Sequence, residues 1–131
     1  MDLWAKMKMK QKKKILVVED EASLSRALKD KFEMEGFDVL VAENGALGLE
    51  TALKELPDMI LLDIAMPVMD GLEMLRLLKS TDSGKKLKVI ILTNYGDMEK
   101  FVQAKELGAN DYLVKADWGM SDIVDVVKKI I

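Results

Sequence analysis

Short runs of apolar residues, each too short to form a helix of ordinary length, constrain the fold of this chain more than any other feature. Three uninterrupted runs occupy residues 15–18, 59–62 and 89–92, and weaker runs occupy residues 39–42 and 112–114. Continuous apolar runs of this length are typical of strands that are buried on both faces, as in parallel sheets. The sequence therefore predicts five strands, with residues 39–42 at an edge of the sheet.

Between these runs lie stretches whose apolar residues recur at helical spacing. The first ends before Gly36, as is usual for a glycine at a helix C-terminus, and the last has Ser121 as its expected N-cap. The five predicted helices carry Leu24, Ala27, Leu28 and Phe32; Ala46, Leu49, Leu53 and Leu56; Leu72, Leu75 and Leu78; Phe101, Ala104 and Leu107; and Ile123, Val127 and Ile130. Strands that alternate with helices predict one α/β domain, an open parallel sheet with helices on both faces.

Polar residues follow four of the apolar runs: Glu19 and Asp20, then Asp63, then Thr93, and finally Lys115. Such residues could simply mark the points where buried strands reach solvent. However, open α/β sheets bind ligands at the carboxyl ends of their strands, so these side chains are expected to share one crevice. Carboxylate, hydroxyl and ammonium are also the groups that phosphoryl transfer requires.

Three carboxylates in one crevice repel one another unless a cation lies among them. The chain contains no Cys and no His, so the available ligands are oxygen atoms, which favour a hard cation such as Mg2+. Asp63 is then a candidate nucleophile, because carboxylates can form acyl phosphates. Lys115 would pair with a phosphoryl oxygen, and Thr93 would form a hydrogen bond to another.

Residues 15–21 (ILVVEDE) and 63–71 (DIAMPVMDG) resemble the receiver domains of two-component response regulators, in the single-domain form related to chemotaxis regulators. Residues 91–93 and 108–115 continue the resemblance in the same order. It implies a doubly wound, flavodoxin-like sheet with strand order 2-1-3-4-5. It also implies a phosphorelay role, in which Asp63 accepts a phosphoryl group from a sensor histidine kinase or a histidine phosphotransfer protein.

The resemblance also implies roles for individual residues. Asp20, Asp63 and the backbone carbonyl of Ala65 would ligate Mg2+, and Glu19 would act mostly through metal-bound water. Thr93 and Tyr112 occupy the positions of the switch pair. The surface of helix 4, strand 5 and helix 5 would bind a downstream target or form a homodimer. The expected activity is Mg2+-dependent phosphoryl acceptance with autodephosphorylation, rather than conventional enzymatic turnover.

Two features depart from, or vary within, the family pattern. Ala116 replaces the usual proline after Lys115, so a trans peptide bond is expected, since a cis bond before a non-proline residue costs about 2.5–4 kcal/mol. Ala65 and Tyr95 occupy variable positions and predict a long-lived phosphoryl group. Ala116 supports the alternative of a pseudo-receiver, a protein-binding module that works without phosphorylation. A phosphatase of the haloacid dehalogenase type would need a second acidic residue where Ala65 stands.

The charge of the chain is unevenly distributed. Residues 1–14 contain six lysines and one aspartate, a formal charge of +5, which leaves −8 for the rest of a chain whose total is −3. We expect residues 1–14 to form a basic N-terminal extension, flexible or a leader, and residues 15–131 to form the receiver domain. The acidic body argues against direct nucleic-acid binding. No apolar run approaches the roughly 20 residues of a membrane span, and we expect a cytoplasmic protein. A short basic amphipathic helix within residues 1–14, which could dock on an anionic membrane or a partner, is the alternative to a flexible extension or leader.

Overall fold

The computed structural model describes residues 2–4 and 12–131. Strands and helices alternate regularly from residue 14 onward. In chain order they are β1 (Lys14–Val18), α1 (Ala22–Met34), β2 (Asp38–Ala42), α2 (Gly45–Glu55), β3 (Met59–Leu62), α3 (Gly71–Lys79), β4 (Val89–Thr93), α4 (Met98–Glu106), β5 (Asp111–Val114) and α5 (Met120–Ile130). Short 3-10 turns occupy Gly84–Lys86 and Lys115–Asp117.

The five strands form one parallel sheet in the order β2-β1-β3-β4-β5. This confirms the predicted doubly wound α/β fold and the edge position of β2. Strand order reverses between β1 and β3, where Val18 lies opposite Leu62. The residues that follow these two strands therefore emerge side by side at the carboxyl edge of the sheet, where sheets of this class bind ligands.

Both faces of the sheet are buried under helices, which explains why the strands are continuously apolar. Alternate residues of β1 and β3 point to opposite faces, because side chains alternate along a strand. Leu16 and Leu62 pack against α2, α3 and α4, whereas Val17 and Leu61 pack against α1 and α5.

The N-termini of three helices are capped by polar side chains. Asn44, Asp70 and Asp97 accept hydrogen bonds from the N–H groups of Leu47, Glu73 and Lys100, each at 2.9 Å. Such caps satisfy N–H groups that have no partner within the helix. All three helices follow strands of a parallel sheet, so their capped N-termini lie at the same edge of the sheet as the predicted site.

The expected N-terminal extension falls largely outside the described residues, since residues 5–11 are not among them. The division of the chain at residues 14 and 15 therefore stays a prediction. Among residues 2–4 and 12–131, no helix has both the length and the apolar character needed to cross a membrane.

Candidate functional site

Asp63 is held against the end of β1 by backbone hydrogen bonds. Its N–H donates to the carbonyl of Val18 at 3.0 Å, which extends the pairing of β1 and β3 by one residue. One carboxylate oxygen, Oδ1, accepts a hydrogen bond of 2.8 Å from the N–H of Ile64. The other oxygen, Oδ2, faces Lys115 at 3.3 Å. Asp63 therefore has a fixed backbone and one oxygen directed toward a cation.

Glu19, Asp20 and Asp63 form a cluster of carboxylates at this edge. One ligand atom from each lies within 4.8 Å of the others. Glu19 and Asp63 are buried, whereas Asp20 is exposed. The structure thus brings together the three acidic residues predicted from the sequence, and Asp20 lies on the solvent side of the cluster.

Lys115 contacts two of these carboxylates. Its Nζ lies 2.7 Å from Oε1 of Glu19 and 3.3 Å from Oδ2 of Asp63. The peptide bond that joins Lys115 to Ala116 is trans, as expected, and the chain turns there into a short 3-10 helix. Replacement of the usual proline by Ala116 therefore leaves Lys115 within contact of both carboxylates.

Burial and crowding alter the protonation of this cluster. Burial, together with the adjacent carboxylate of Asp63, raises the pKa of Glu19 to about 8, although the ammonium of Lys115 lowers it in part. Burial would lower the pKa of Lys115, but the hydrogen bond to Glu19 and the charge of Asp63 outweigh it and raise the pKa. Oε2 of Glu19 is buried and has no hydrogen-bond partner among the described residues. A hard cation, which prefers oxygen ligands, could be coordinated by these carboxylate oxygens.

Thr93 and Tyr112 are linked through the backbone of Tyr95. Thr93 is fully buried, and its Oγ1 accepts a hydrogen bond of 3.3 Å from the N–H of Tyr95. The hydroxyl of Tyr112 donates to the carbonyl oxygen of the same Tyr95. The ring of Phe101 in α4 packs edge-on against Tyr112, with the centroids 5.6 Å apart. Sequence reasoning singled out Thr93 and Tyr112 but missed this connecting role of Tyr95.

The chain matches the model of the response regulator receiver domain over residues 15–128. It belongs to this family. Receiver domains are modules of two-component signalling that bind Mg2+ at an acidic site and interact with histidine kinases or phosphotransfer proteins.

Curated relatives match this chain over different shares of their own length. The sporulation initiation phosphotransferase F of Bacillus subtilis (strain 168) is 39% identical over 116 residues, which cover 88% of this chain and 91% of that protein. The uncharacterized transcriptional regulatory protein YkoG of the same organism is 41% identical over 101 residues, 77% of this chain. The chain spans only 43% of the length of YkoG.

Solved structures show the same fold. The chemotaxis protein CheY4 of Vibrio cholerae has a TM-score of 0.86 at 26% identity, over 92% of this chain and 100% of that chain. The response regulator TrrA of Thermotoga maritima, in complex with Mg2+-BeF, has a TM-score of 0.80 at 32% identity, over 91% of this chain and 99% of that chain.

The acidic site of this receiver domain opens to solvent through a cleft of about 260 Å³, lined by Glu19, Asp20, Glu21, Asp63, Ala65, Asn94, Tyr95 and Lys115. A second cleft of about 470 Å³ adjoins it and shares Asp20, Ala65 and Tyr95. Met66, Pro67 and Lys100 also line the second cleft. Ala65 therefore lies at the mouth of the site, where its small side chain leaves access to Asp63 open.

Gly71 allows α3 to begin directly against the acidic site. A Cβ atom at this position would lie 2.0 Å from the carbonyl oxygen of Asp63, a distance that non-bonded atoms cannot adopt. The N–H of Gly71 instead donates to the carbonyl of Ile64 at 2.8 Å. The segment Asp70-Gly71 thus caps the helix and packs its start against the backbone that carries Asp63.

Proposed function

We propose that this receiver domain accepts a phosphoryl group on Asp63 from a sensor histidine kinase or a histidine phosphotransfer protein. The observation that carries the proposal is the position of Asp63, which combines a fixed backbone, contact with Lys115 and access from an open cleft. Glu19 is more deeply buried than Asp63, and its Oε1 already accepts a hydrogen bond from Nζ of Lys115. The chain has no His, so the phosphohistidine must belong to the partner.

In the proposed reaction, a carboxylate oxygen of Asp63 attacks the phosphorus atom of the partner's phosphohistidine. A new O–P bond forms while the P–N bond breaks, and the imidazole leaves with the electron pair. Lys115 would stabilise the negative charge of the phosphoryl oxygens as a point charge beside Asp63. Thr93 would supply a hydroxyl hydrogen bond to another phosphoryl oxygen.

The site has the chemistry that Mg2+ requires. Its donors are carboxylate oxygens, and Oε2 of Glu19 is buried without a partner in the described part of the chain. Asp20, Asp63 and the backbone carbonyl of Ala65 would hold the ion, with Glu19 acting through water. When bound, Mg2+ would neutralise the clustered carboxylates and the charge of the incoming phosphoryl group. The Mg2+-BeF complex of TrrA supports this assignment by likeness alone.

The link between Thr93, Tyr95 and Tyr112 supports a switch. If Thr93 moves toward the phosphoryl group, its hydrogen bond to the N–H of Tyr95 is lost, and the carbonyl that holds Tyr112 is free to move. Tyr112 contacts Phe101, so the change would reach α4. We propose that the surface of α4, β5 and α5 then binds a downstream target or a second copy of the chain in the cytoplasm.

Exposed apolar residues support this output surface. Met98 and Val102 of α4 are 72% and 42% exposed, and Trp118 before α5 is 38% exposed.

We propose neither direct nucleic-acid binding nor membrane contact for the described residues. The position two residues after Asp63 is Ala65, so the chain lacks the second acid of a haloacid dehalogenase-type phosphatase.

Acetyl phosphate tests the proposal. We expect the protein to gain the mass of one phosphoryl group in the presence of Mg2+ and to gain none without it. Asp63→Asn should abolish the gain. Asp30→Asn, on the exposed face of α1, should not. A folded protein that gains no mass with Mg2+, or an Asp63→Asn variant that gains it fully, would overturn the proposal. The first result would favour the pseudo-receiver, which binds its partner without phosphorylation.

A further inference from the structure

Tyr95 lines both clefts at the mouth of the acidic site, as Asp20 and Ala65 also do. One of these clefts contains Asp63 and the other contains Lys100. In the unphosphorylated protein the backbone of Tyr95 is held on both sides, since its N–H donates to Thr93 and its carbonyl accepts from Tyr112. The residue as a whole is nonetheless 45% exposed. The ring is therefore the part of Tyr95 that can move over the opening.

Lys100 lies over this ring. Its Nζ is 5.5 Å from the centroid of the Tyr95 ring, which is within the range of a cation–π contact. Lys100 is in the first turn of α4, where its own N–H donates to the cap residue Asp97 at 2.9 Å. The ammonium thus extends from an anchored backbone and contacts the ring from the side of the larger cleft.

We infer that Lys100 is a positioning residue that holds the ring of Tyr95 at the mouth of the site and slows hydrolysis of phosphorylated Asp63. The inference rests on the proposed phosphorylation of Asp63. In the hydrolysis step, the oxygen of a water molecule bonds to phosphorus and the P–O bond to Asp63 breaks. The carboxylate leaves with the electron pair, a proton passes to solvent, and inorganic phosphate is released. A held ring restricts the approach of that water.

The expected effect is modest. A cation–π contact at a partly exposed site should change the equilibrium constant between held and free positions of the Tyr95 ring by about two- to fivefold. Lys100→Met should therefore increase the rate constant of phosphoryl loss by about the same factor, measured by intact mass after removal of acetyl phosphate. Lys100→Arg should restore the slower rate, because a guanidinium also stacks on an aromatic ring.

The chain offers a matched control on the same helix. Nζ of Lys105 lies 5.8 Å from the centroid of the Phe101 ring, a contact of the same kind. Lys105 lines neither of the two clefts described above. Lys105→Met should leave the rate constant of phosphoryl loss unchanged. An equal acceleration by Lys105→Met would overturn the inference, since it would show a general effect of charge or helix stability.

A double-mutant cycle separates positioning from a direct effect of the lysine charge. If Lys100 acts through the ring, Lys100→Met should have no further effect in a Tyr95→Leu background. The same acceleration in both backgrounds would overturn the inference. In the unphosphorylated protein, ring currents of Tyr95 should shift the NMR signals of the Lys100 side-chain protons upfield, and Tyr95→Leu should abolish the shift. If the protein without substitutions shows no such shift, the inference is also overturned.

These results distinguish the inference from the proposed function. If the protein without substitutions takes up no phosphoryl group, both are overturned. If it takes up the group, and the Lys100→Met variant loses the group with the same rate constant as the protein without substitutions, only the positioning role of Lys100 is overturned.

Discussion

Lys115 donates a hydrogen bond to Glu19 that joins the ends of β5 and β1, 96 residues apart in the sequence, with Nζ 2.7 Å from Oε1. Their side chains are only 13% and 3% exposed, so the contact is shielded from solvent. The same ammonium contacts Asp63. Lys115 therefore compensates part of the charge of the carboxylate cluster and is also positioned to compete with Mg2+ for it.

This dual contact predicts opposite effects of Lys115→Met on two measurements. Without the ammonium, phosphorylation of Asp63 by acetyl phosphate should slow by roughly tenfold or more, because a charged donor beside the reacting oxygen is lost. Calorimetric titration should show Mg2+ binding strengthened by at least about threefold, since a repelling cation is removed.

Lys88→Met provides the comparison for this variant. Lys88 donates to the carbonyl of Ile130 at 2.9 Å, away from the carboxylate cluster, so both measurements should be unchanged. Weaker binding of Mg2+ by a folded Lys115→Met variant would contradict the competition between the two cations.

Gly71→Ala should destabilise the protein and disturb the site together. The added methyl group would meet the carbonyl of Asp63 at 2.0 Å, so the start of α3 or the backbone after β3 must shift. Overpacking of this kind typically costs about 1–3 kcal/mol in the free energy of unfolding. Chemical denaturation measures this cost, and the phosphorylation rate with acetyl phosphate measures the displacement of Asp63.

Gly96→Ala is the control for this substitution. A Cβ atom at Gly96 would lie no closer than 3.4 Å to its neighbour, a side-chain atom of Val114, so the added methyl group meets ordinary van der Waals contact. Equal losses of stability in the two variants would show that the close approach at Gly71 is not the cause.

The fold and the acidic cluster could be predicted because several independent signals agree. Continuous apolar runs identify strands buried on both faces, and the residues after them, such as Asp63 and Lys115, must then meet at one edge of a parallel sheet. Periodicity alone predicts only an α/β sheet, however. The strand order required the resemblance of residues 15–21, 63–71, 91–93 and 108–115 to a known family.

Other features depend on geometry that residue types do not specify. Ser121 was predicted as the N-cap of the last helix, but this prediction was wrong. α5 begins at Met120, and Gly119 is its N-cap, with an N–H that donates to Asp122 at 3.3 Å. Capping preferences are worth about 1 kcal/mol, so the tertiary position of a helix can override them. The backbone contacts of Tyr95 leave no sequence signal, because any residue has the same N–H and carbonyl.

Val68→Gly should stabilise the protein. Val68 has a φ of 68°, in the left-handed region, and the residue is 83% exposed in the loop between β3 and α3. That region costs an L-residue roughly 1–2 kcal/mol, whereas glycine adopts it freely. After the entropy cost of glycine, we expect a gain of about 0.5–1 kcal/mol in the free energy of unfolding. Thermal and chemical denaturation measure it.

Val102→Gly makes the same substitution within a helix, where a loss of stability is expected instead of a gain. Val102 lies within α4 and is 42% exposed, and glycine weakens helices. This variant should lose stability by several tenths of a kcal/mol. A loss of stability in Val68→Gly as well would show that the loop does not strain Val68.

The pairing of Glu35 with Lys128 predicts how stability depends on pH. The Lys128 ammonium lies 2.9 Å from Oε2 of Glu35, and Lys31 lies 3.4 Å from Oε1. Hydrogen bonds and charge from Lys128, followed by those from Lys31, lower the pKa of Glu35 below its ordinary value of 4.5. The folded protein therefore favours the ionised form. The resulting stabilisation is complete above pH 4.5 and disappears as the pH falls through the lowered pKa.

Glu35→Gln removes this stabilisation, which joins the end of α1 to α5. The variant should unfold at a lower denaturant concentration than the unmodified protein at pH 7. The difference between the two should shrink as the pH falls below 4.5, and added salt at pH 7 should reduce it as well, because the pair is solvent-accessible. Glu33→Gln, on the same helix, serves as the control. A difference between Glu35→Gln and the unmodified protein that is constant from pH 7 to pH 3 would show that the charge of Glu35 is not its cause.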